Sequence, residues 1–223
     1  RGGKEAAQSN AALASVVKEA LKVTGVTVDA VQFVTDQDRS IVDQMIKLND
    51  YLDLFIPRGG EGLIKYVRDN ATVPAITGGI GVVHVYIDAS ADVQRATEIV
   101  VNAKTQRPDV CNALDTVLVH SSVAPSLLPR AASRLISAGV ELRCDQRALS
   151  LIGPVDEQKI RVAAPEDFGR EFLSLILAVK IVDSLDEAVE HIEKHGSGHT
   201  EAILTADDRA ATLFTDEIEA SVV

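Results

Sequence analysis

Apolar positions in this chain recur first at helical spacing and then as short runs, and the two patterns alternate along its length. Residues 5–23 carry Ala, Leu and Val three and four apart and stop at Gly25, which predicts a helix ended by a glycine. AVQFV at 30–34 then reads as a strand. DRSIVDQMIKLN (38–49) predicts a helix, YLDLFI (51–56) a strand, GGEGLIKYVRDN (59–70) a helix begun after glycines, and VPAIT (73–77) an extended segment.

Beyond the glycines at 78, 79 and 81 the alternation becomes stronger. VVHVYID (82–88) is an apolar strand, ADVQRATEIVVNAKTQ (91–106) an amphipathic helix, and DTVLVH (115–120) a second strand. Helix 122–138, strand 140–143, a less regular region with Pro154 and Pro165, strand 174–182, helix 184–195, strand 201–205 and a helix over 207–220 follow. SVV at the end reads as a strand cut short. This is βα alternation, the pattern of a parallel sheet wrapped by helices, and it places the internal boundary at the Gly78–Gly81 stretch. The chain opens inside a glycine turn and closes on an apolar run, which predicts a fragment of a longer protein.

Composition narrows the partners. Across 223 residues, 22 basic against 33 acidic side chains give a net charge of −11, which repels phosphate polymers and leaves no basic stripe for nucleic acid. No apolar run approaches the ~20 residues of a membrane helix, and RGGKEAAQSN lacks the layout of a secretory signal, so a cytoplasmic protein without a membrane partner is expected. Two cysteines in so long a chain are no disulfide framework. Cys144 closes the apolar run VELRC and reads as structural.

Cys111 is different. It sits in the polar turn QRPDVCNAL, between a helix and a strand, with Lys104 and Arg107 upstream. Cations or a helix end beside a thiol favour the nucleophilic thiolate. Cysteines are commonly small buried hydrophobes, but Asp109 and Asn112 make an apolar slot a poor fit here. Arg107 suits either an anionic substrate or tuning of the thiol, since its planar fork binds carboxylate and phosphate alike.

Four pieces, RGGKEA (1–6), DLFIPRGGEGL…VPAITGGIGVVHVYID (53–88), NAKTQRPDVCNALDTVLVH (102–120) and GREFLSLILAVKIVDSLDEAVEHI (169–192), resemble the γ-glutamyl phosphate reductase family of the aldehyde dehydrogenase superfamily. The resemblance implies an aldehyde dehydrogenase-like α/β fold of parallel twisted sheets with flanking helices. Residues 1–77 would be part of an NADP-binding domain and residues 78–223 a catalytic domain. It implies NADPH-dependent reduction of a glutamyl phosphate to its semialdehyde in proline biosynthesis, with Cys111 as nucleophile and Asn112 beside it. NADP(H) is the implied cofactor, a small molecule the substrate, and a homo-oligomer a compatible assembly.

The same resemblance places cofactor contacts. Arg1 and Lys4 fall where relatives meet the adenosine ribose, and a cation at Lys4 favours NADPH over NADH. Gly59 and Gly60 precede a helix, where bare N–H groups suit a pyrophosphate. Glu171 matches a superfamily glutamate that holds the nicotinamide ribose. Hydrolytic relatives carry a glutamate before a paired glycine, whereas AITGG has Ile76 and Thr77 there, so water lacks a general base and a thioester would survive for hydride transfer. The side-chain oxyanion donor of the superfamily lies upstream of this chain, leaving the backbone N–H of Cys111 as one donor.

His191 and His195 stand four apart, a chelating spacing, yet they lie in a last helical turn where positive charge offsets the helix dipole, and no metal site is expected. His84 reads as a satisfied strand residue, and His120 ends a strand with no visible partner. Two other readings compete: a non-phosphorylating aldehyde dehydrogenase relative, and a catalytically silent nucleotide-binding or assembly module.

Overall fold

The computed structural model describes residues 3–153 and 158–223, which form two compact units, Arg1–Gly78 and Gly79–Val223. In the first, a short 3-10 turn leads into helix α1 (Ala7–Thr24), followed by α2 (Ser40–Met45) and α3 (Glu61–Asn70). Gly25 ends α1 in the left-handed region at φ 73°, and its N–H donates to the carbonyls of Leu21 and Lys22. Ile46, Val67 and Val73 are fully or almost fully buried, and the N–H groups of Thr72 and Val73 both donate to the Ile46 carbonyl.

The strands predicted here are reduced to one bridge. Phe55 N–H donates to the Pro74 carbonyl at 2.8 Å and Ile76 N–H to the Phe55 carbonyl at 3.0 Å, pairing Phe55 with Ala75 in parallel. Residues 30–34 carry no ladder; residues 28–30 form a 3-10 turn and the rest runs without regular structure. An apolar pattern favours an extended backbone, but a strand also needs a partner's N–H and C=O groups.

The second unit is an α/β sandwich of three layers. Its elements are β1 (Val83–Ile87), α4 (Val93–Thr105), β2 (Thr116–His120), α5 (Ala124–Ser137), β3 (Glu141–Cys144), α6 (Gln146–Ile152), β4 (Ile160–Val162), β5 (Ile176–Val182), α7 (Leu185–His195), β6 (Thr200–Leu204) and α8 (Asp208–Glu217). The six strands run parallel in the order β4-β3-β5-β2-β1-β6. Val222 makes a single parallel bridge to Thr200. Pro154 lies outside the described residues, and α6 and β4 fill much of the region read as irregular.

Alternation along β1 feeds two cores. Val85 and Ile87 join Leu127, Leu135 and Leu177 on the side of α4, α5 and α6. Tyr86 faces the other way, with Leu118, Val182, Ile192 and Phe214, under α7 and α8. Burial on both faces is why β1 and β2 read as near-continuous apolar runs. Helix starts are fixed by side-chain caps: Asp92 accepts from Arg95 N–H at 2.8 Å, and Ser184 from Glu187 N–H at 3.1 Å. Among the described residues no helix is long and apolar enough to cross a membrane.

Candidate active site

Because β1 and β2 are parallel neighbours, the loops that lead into them lie side by side at one edge of the sheet. The loop after α4 turns at residues 108–113, closed by the Ala113 N–H donating to the Val110 carbonyl at 3.1 Å. Its end is anchored: Ala113 and Leu114 are buried, and Asp115 N–H donates to the Val83 carbonyl at 3.0 Å. The polar residues before them stay outside, so Cys111 is a free, exposed thiol with exposed Asn112 next to it.

Gly81 runs directly under this turn. A Cβ at Gly81 would collide with the carbonyl group of Cys111 and stand 3.1 Å from its Cβ, so the two backbones touch only because residue 81 has no side chain. The Gly81 N–H donates to Glu171 Oε1 at 3.1 Å, and the neighbouring Val82 N–H to Ser197 Oγ at 2.9 Å. Cys111, Gly81 and Glu171 thus come from three separate segments and converge. Arg107 is exposed at the surface, its Nη2 3.8 Å from Asp109 Oδ2.

Beneath the turn lies a buried ion pair that sequence reasoning did not find. Lys104 is completely buried; its Nζ donates to the Leu114 carbonyl at 2.8 Å and stands 3.6 Å from Asp115 Oδ1. Asp115 also accepts from the Phe172 N–H at 3.1 Å. Burial pushes the Asp115 carboxyl up and the Lys104 amine down, each toward its neutral form, while their mutual attraction opposes both shifts. Lys104 therefore faces the core, away from solvent.

The chain as a whole is similar to known proteins. γ-Glutamyl phosphate reductase from Dehalococcoides mccartyi is 50% identical over 223 residues, 100% of this chain and 53% of that protein. The solved γ-glutamyl phosphate reductase of Thermotoga maritima matches at a TM-score of 0.91 and 44% identity, covering 100% of this chain and 53% of that one. The whole chain is similar to γ-glutamyl phosphate reductase. It spans about half the length of the curated γ-glutamyl phosphate reductases it matches. An acetylating aldehyde dehydrogenase from Geobacillus thermoglucosidasius, 23% identical with a TM-score of 0.72 over 97% of this chain and 55% of that one, shows the wider aldehyde dehydrogenase-like fold. No protein-family model matches the chain.

Of the residues assigned to the cofactor through the γ-glutamyl phosphate reductase resemblance, Lys4, Gly59 and Gly60 lie in the first unit and Glu171 in the second. Lys4 and Gly60 line one cleft of about 890 Å³ together with Gly3, Arg39, Asp43 and Tyr66. Gly60 caps α3 without a side-chain hydrogen bond, and Leu63 N–H is the first to fold back onto its carbonyl, at 2.9 Å. Gly59 packs close to the Leu63 side chain. A hydrogen bond to the Asp43 carboxylate holds the Tyr66 phenol above its ordinary pKa. Arg39 adds a second cation to this cleft, one that sequence reasoning missed. Arg1 lies outside the described residues. The cleft sets two cations, Lys4 and Arg39, against two carboxylates, Glu5 and Asp43, beside a ten-residue helix start without a side-chain cap; the cations and the free helix N–H groups are the part of this lining that suits phosphate.

The histidines resolve differently from the sequence reading. His191 is buried under Phe168, and burial, followed by the Lys180 charge, drives its pKa down to about 2; His195 is lowered as well. Both shifts favour the uncharged ring, which leaves Lys194 as the main positive charge in that last turn. His84 is only half satisfied: its Nδ1 stands 2.9 Å from Glu201 Oε2, while its buried Nε2 has no partner among the described residues. His120 has a partner after all, since the Ser122 N–H donates to its Nδ1 at 3.1 Å. Among the described residues no cluster could hold a metal ion. Cys144 is buried, its pKa pushed up to about 12 by that burial.

Proposed function

We propose that this chain carries the nucleophile and cofactor-facing residues of an NADPH-dependent reductase that converts L-glutamyl 5-phosphate to L-glutamate 5-semialdehyde with release of phosphate, a step of proline biosynthesis. The observation that carries the reading is an exposed thiol at Cys111, seated against the backbone of Gly81, in a chain half identical to γ-glutamyl phosphate reductase.

The Cys111 sulfur, as thiolate, attacks the acyl carbon, and the C–O bond to phosphate breaks, leaving a thioester on the protein. Negative charge gathers on the acyl oxygen, for which the Cys111 backbone N–H is one candidate donor. NADPH, when bound, supplies the hydride that reduces the thioester. The resulting hemithioacetal expels the sulfur, which is again a thiolate, and frees the aldehyde. Lys4, with Arg39 near it, holds the 2′-phosphate, Gly60 at the start of α3 takes the pyrophosphate, and Glu171 takes the nicotinamide ribose. Arg107 and Asn112, both at the exposed rim of the turn, orient the substrate's anionic groups or the thiolate.

The test is the reverse reaction of the full-length protein, NADP⁺ reduction with glutamate semialdehyde and phosphate, against Cys111→Ser. Turnover is expected in the first and none in the second. Equal rates would remove Cys111 from the chemistry, and turnover without phosphate would mark a hydrolytic dehydrogenase instead.

A further inference from the structure

We propose that Asp115 is the positioning residue of this site, acting through Glu171, with Lys104 as its buried counter-ion. Asp115, through its backbone and its side chain together, is the meeting point of the three segments that build the site. Its own N–H is tied to Val83, two residues beyond Gly81. It follows the Cys111 turn directly, and its counter-ion Lys104 grips that turn at the Leu114 carbonyl. Its Oδ1 accepts the Phe172 N–H, which fixes the residue next to Glu171, and Glu171 in turn accepts from Gly81.

Nothing in packing alone asks for a carboxylate there. Asp115 is 2% exposed and precedes an apolar strand; the buried Lys104 ammonium 3.6 Å away accounts for its charge but not for its hydrogen bond to the Phe172 N–H. What a carboxylate adds is an oxygen that an apolar residue cannot offer to the Phe172 N–H. The Phe172 ring is held as well, with the Lys104 ammonium 5.8 Å and the Arg143 guanidinium 5.2 Å from its centre. One side chain thereby sets the place of Glu171 relative to the backbone under Cys111.

The kinetic part of the test rests on the function proposed above; the amide-exchange part does not, so failure of either is separately visible. In the full-length protein, Asp115→Asn keeps an oxygen for the Phe172 N–H and Asp115→Leu does not. Both remove the charge facing Lys104 alike, so their difference isolates the oxygen. Asp115→Leu should exchange the Phe172 amide proton at least about 100-fold faster than the unaltered protein and lose at least about tenfold in kcat, and Asp115→Asn should restore both to within about threefold. Equal kcat in the two variants, or a folded Leu variant with undiminished kcat, would overturn the proposal. If the Leu variant does not fold, the Asn variant decides: kcat within threefold with Phe172 still protected supports it, and a tenfold loss with Phe172 still protected overturns it.

Discussion

The backbone of Gly81 lies in contact with the carbonyl group of Cys111, at a separation that leaves no room for a single methyl group. The relationship joins the start of a buried central strand to the tip of an exposed turn. It makes the position of the thiol a property of the sheet.

Gly81→Ala should therefore displace the Cys111 turn while the sheet still forms. Forcing a methyl into a filled space costs about 1–3 kcal/mol. A modest fall in Tm is expected together with a loss of at least about tenfold in turnover, measured by thermal denaturation and steady-state kinetics. An alanine variant with full activity would show that the turn adapts and that its place is set elsewhere.

The two cysteines should separate cleanly by alkylation. Cys111 is exposed, whereas Cys144 is fully buried with its thiol pKa pushed up to about 12. Iodoacetamide should label one cysteine per native chain and two per unfolded chain, and Cys111→Ser should take no label while folded. Mass spectrometry that finds adducts on native Cys144 would contradict the burial.

Acid should weaken the second unit through His191. Its folded pKa lies near 2, below the ordinary 6.5, so the unfolded chain binds the proton that the folded one refuses. Stability from this group is complete above about pH 6.5 and is lost as the pH falls toward 2, with a slope of at most about 1.4 kcal/mol per pH unit. His191→Leu should flatten the dependence of denaturation midpoint on pH between 6.5 and 4. An unchanged slope would mean that other groups, His195 among them, dominate it.

Reversing the charge at Lys4 tests the proposed phosphate contact. Lys4→Glu should raise the KM for NADPH about tenfold, or about 1.4 kcal/mol, and leave that for NADH within about twofold. Arg39→Ala should act in the same direction, since both side chains line the same cleft. A variant that loses both cofactors equally would place Lys4 in the fold and not in recognition of the 2′-phosphate.

The strands at the centre of the sheet are legible because burial on both faces leaves a run of apolar letters. The shorter α6 and β4, seven and three residues long, fall below the length at which periodicity speaks. Residues 30–34 carry the letters of a strand, but no letter encodes whether a neighbouring backbone is present. At the site, the exposed Cys111 could be read from its polar neighbours, whereas Gly81 reads only as part of a glycine boundary and its contact with the turn is seen only in the fold. The pairing of Lys104 with Asp115 could not be read: Lys104 reads as a supporting cation near the thiol, nothing local marks Asp115, and only the folded chain brings the two 3.6 Å apart in the core. His191 misled for the same reason, because Phe168, which covers it, lies 23 positions away in the sequence.

The strand order β5-β2-β1-β6 leaves both β1 and β2 flanked on either side, so their ladders are complete without any help from the loops that precede them. The stretch between Gln106 and Ala113 accordingly contributes nothing to strand pairing, so apart from Cys111, whose backbone is seated on Gly81, its exposed residues can change without breaking the ladders. Scaffold and chemistry can diverge at different speeds: substrate preference would be rewritten at the rim, one exposed residue at a time, above hydrogen-bonded rows that need not change.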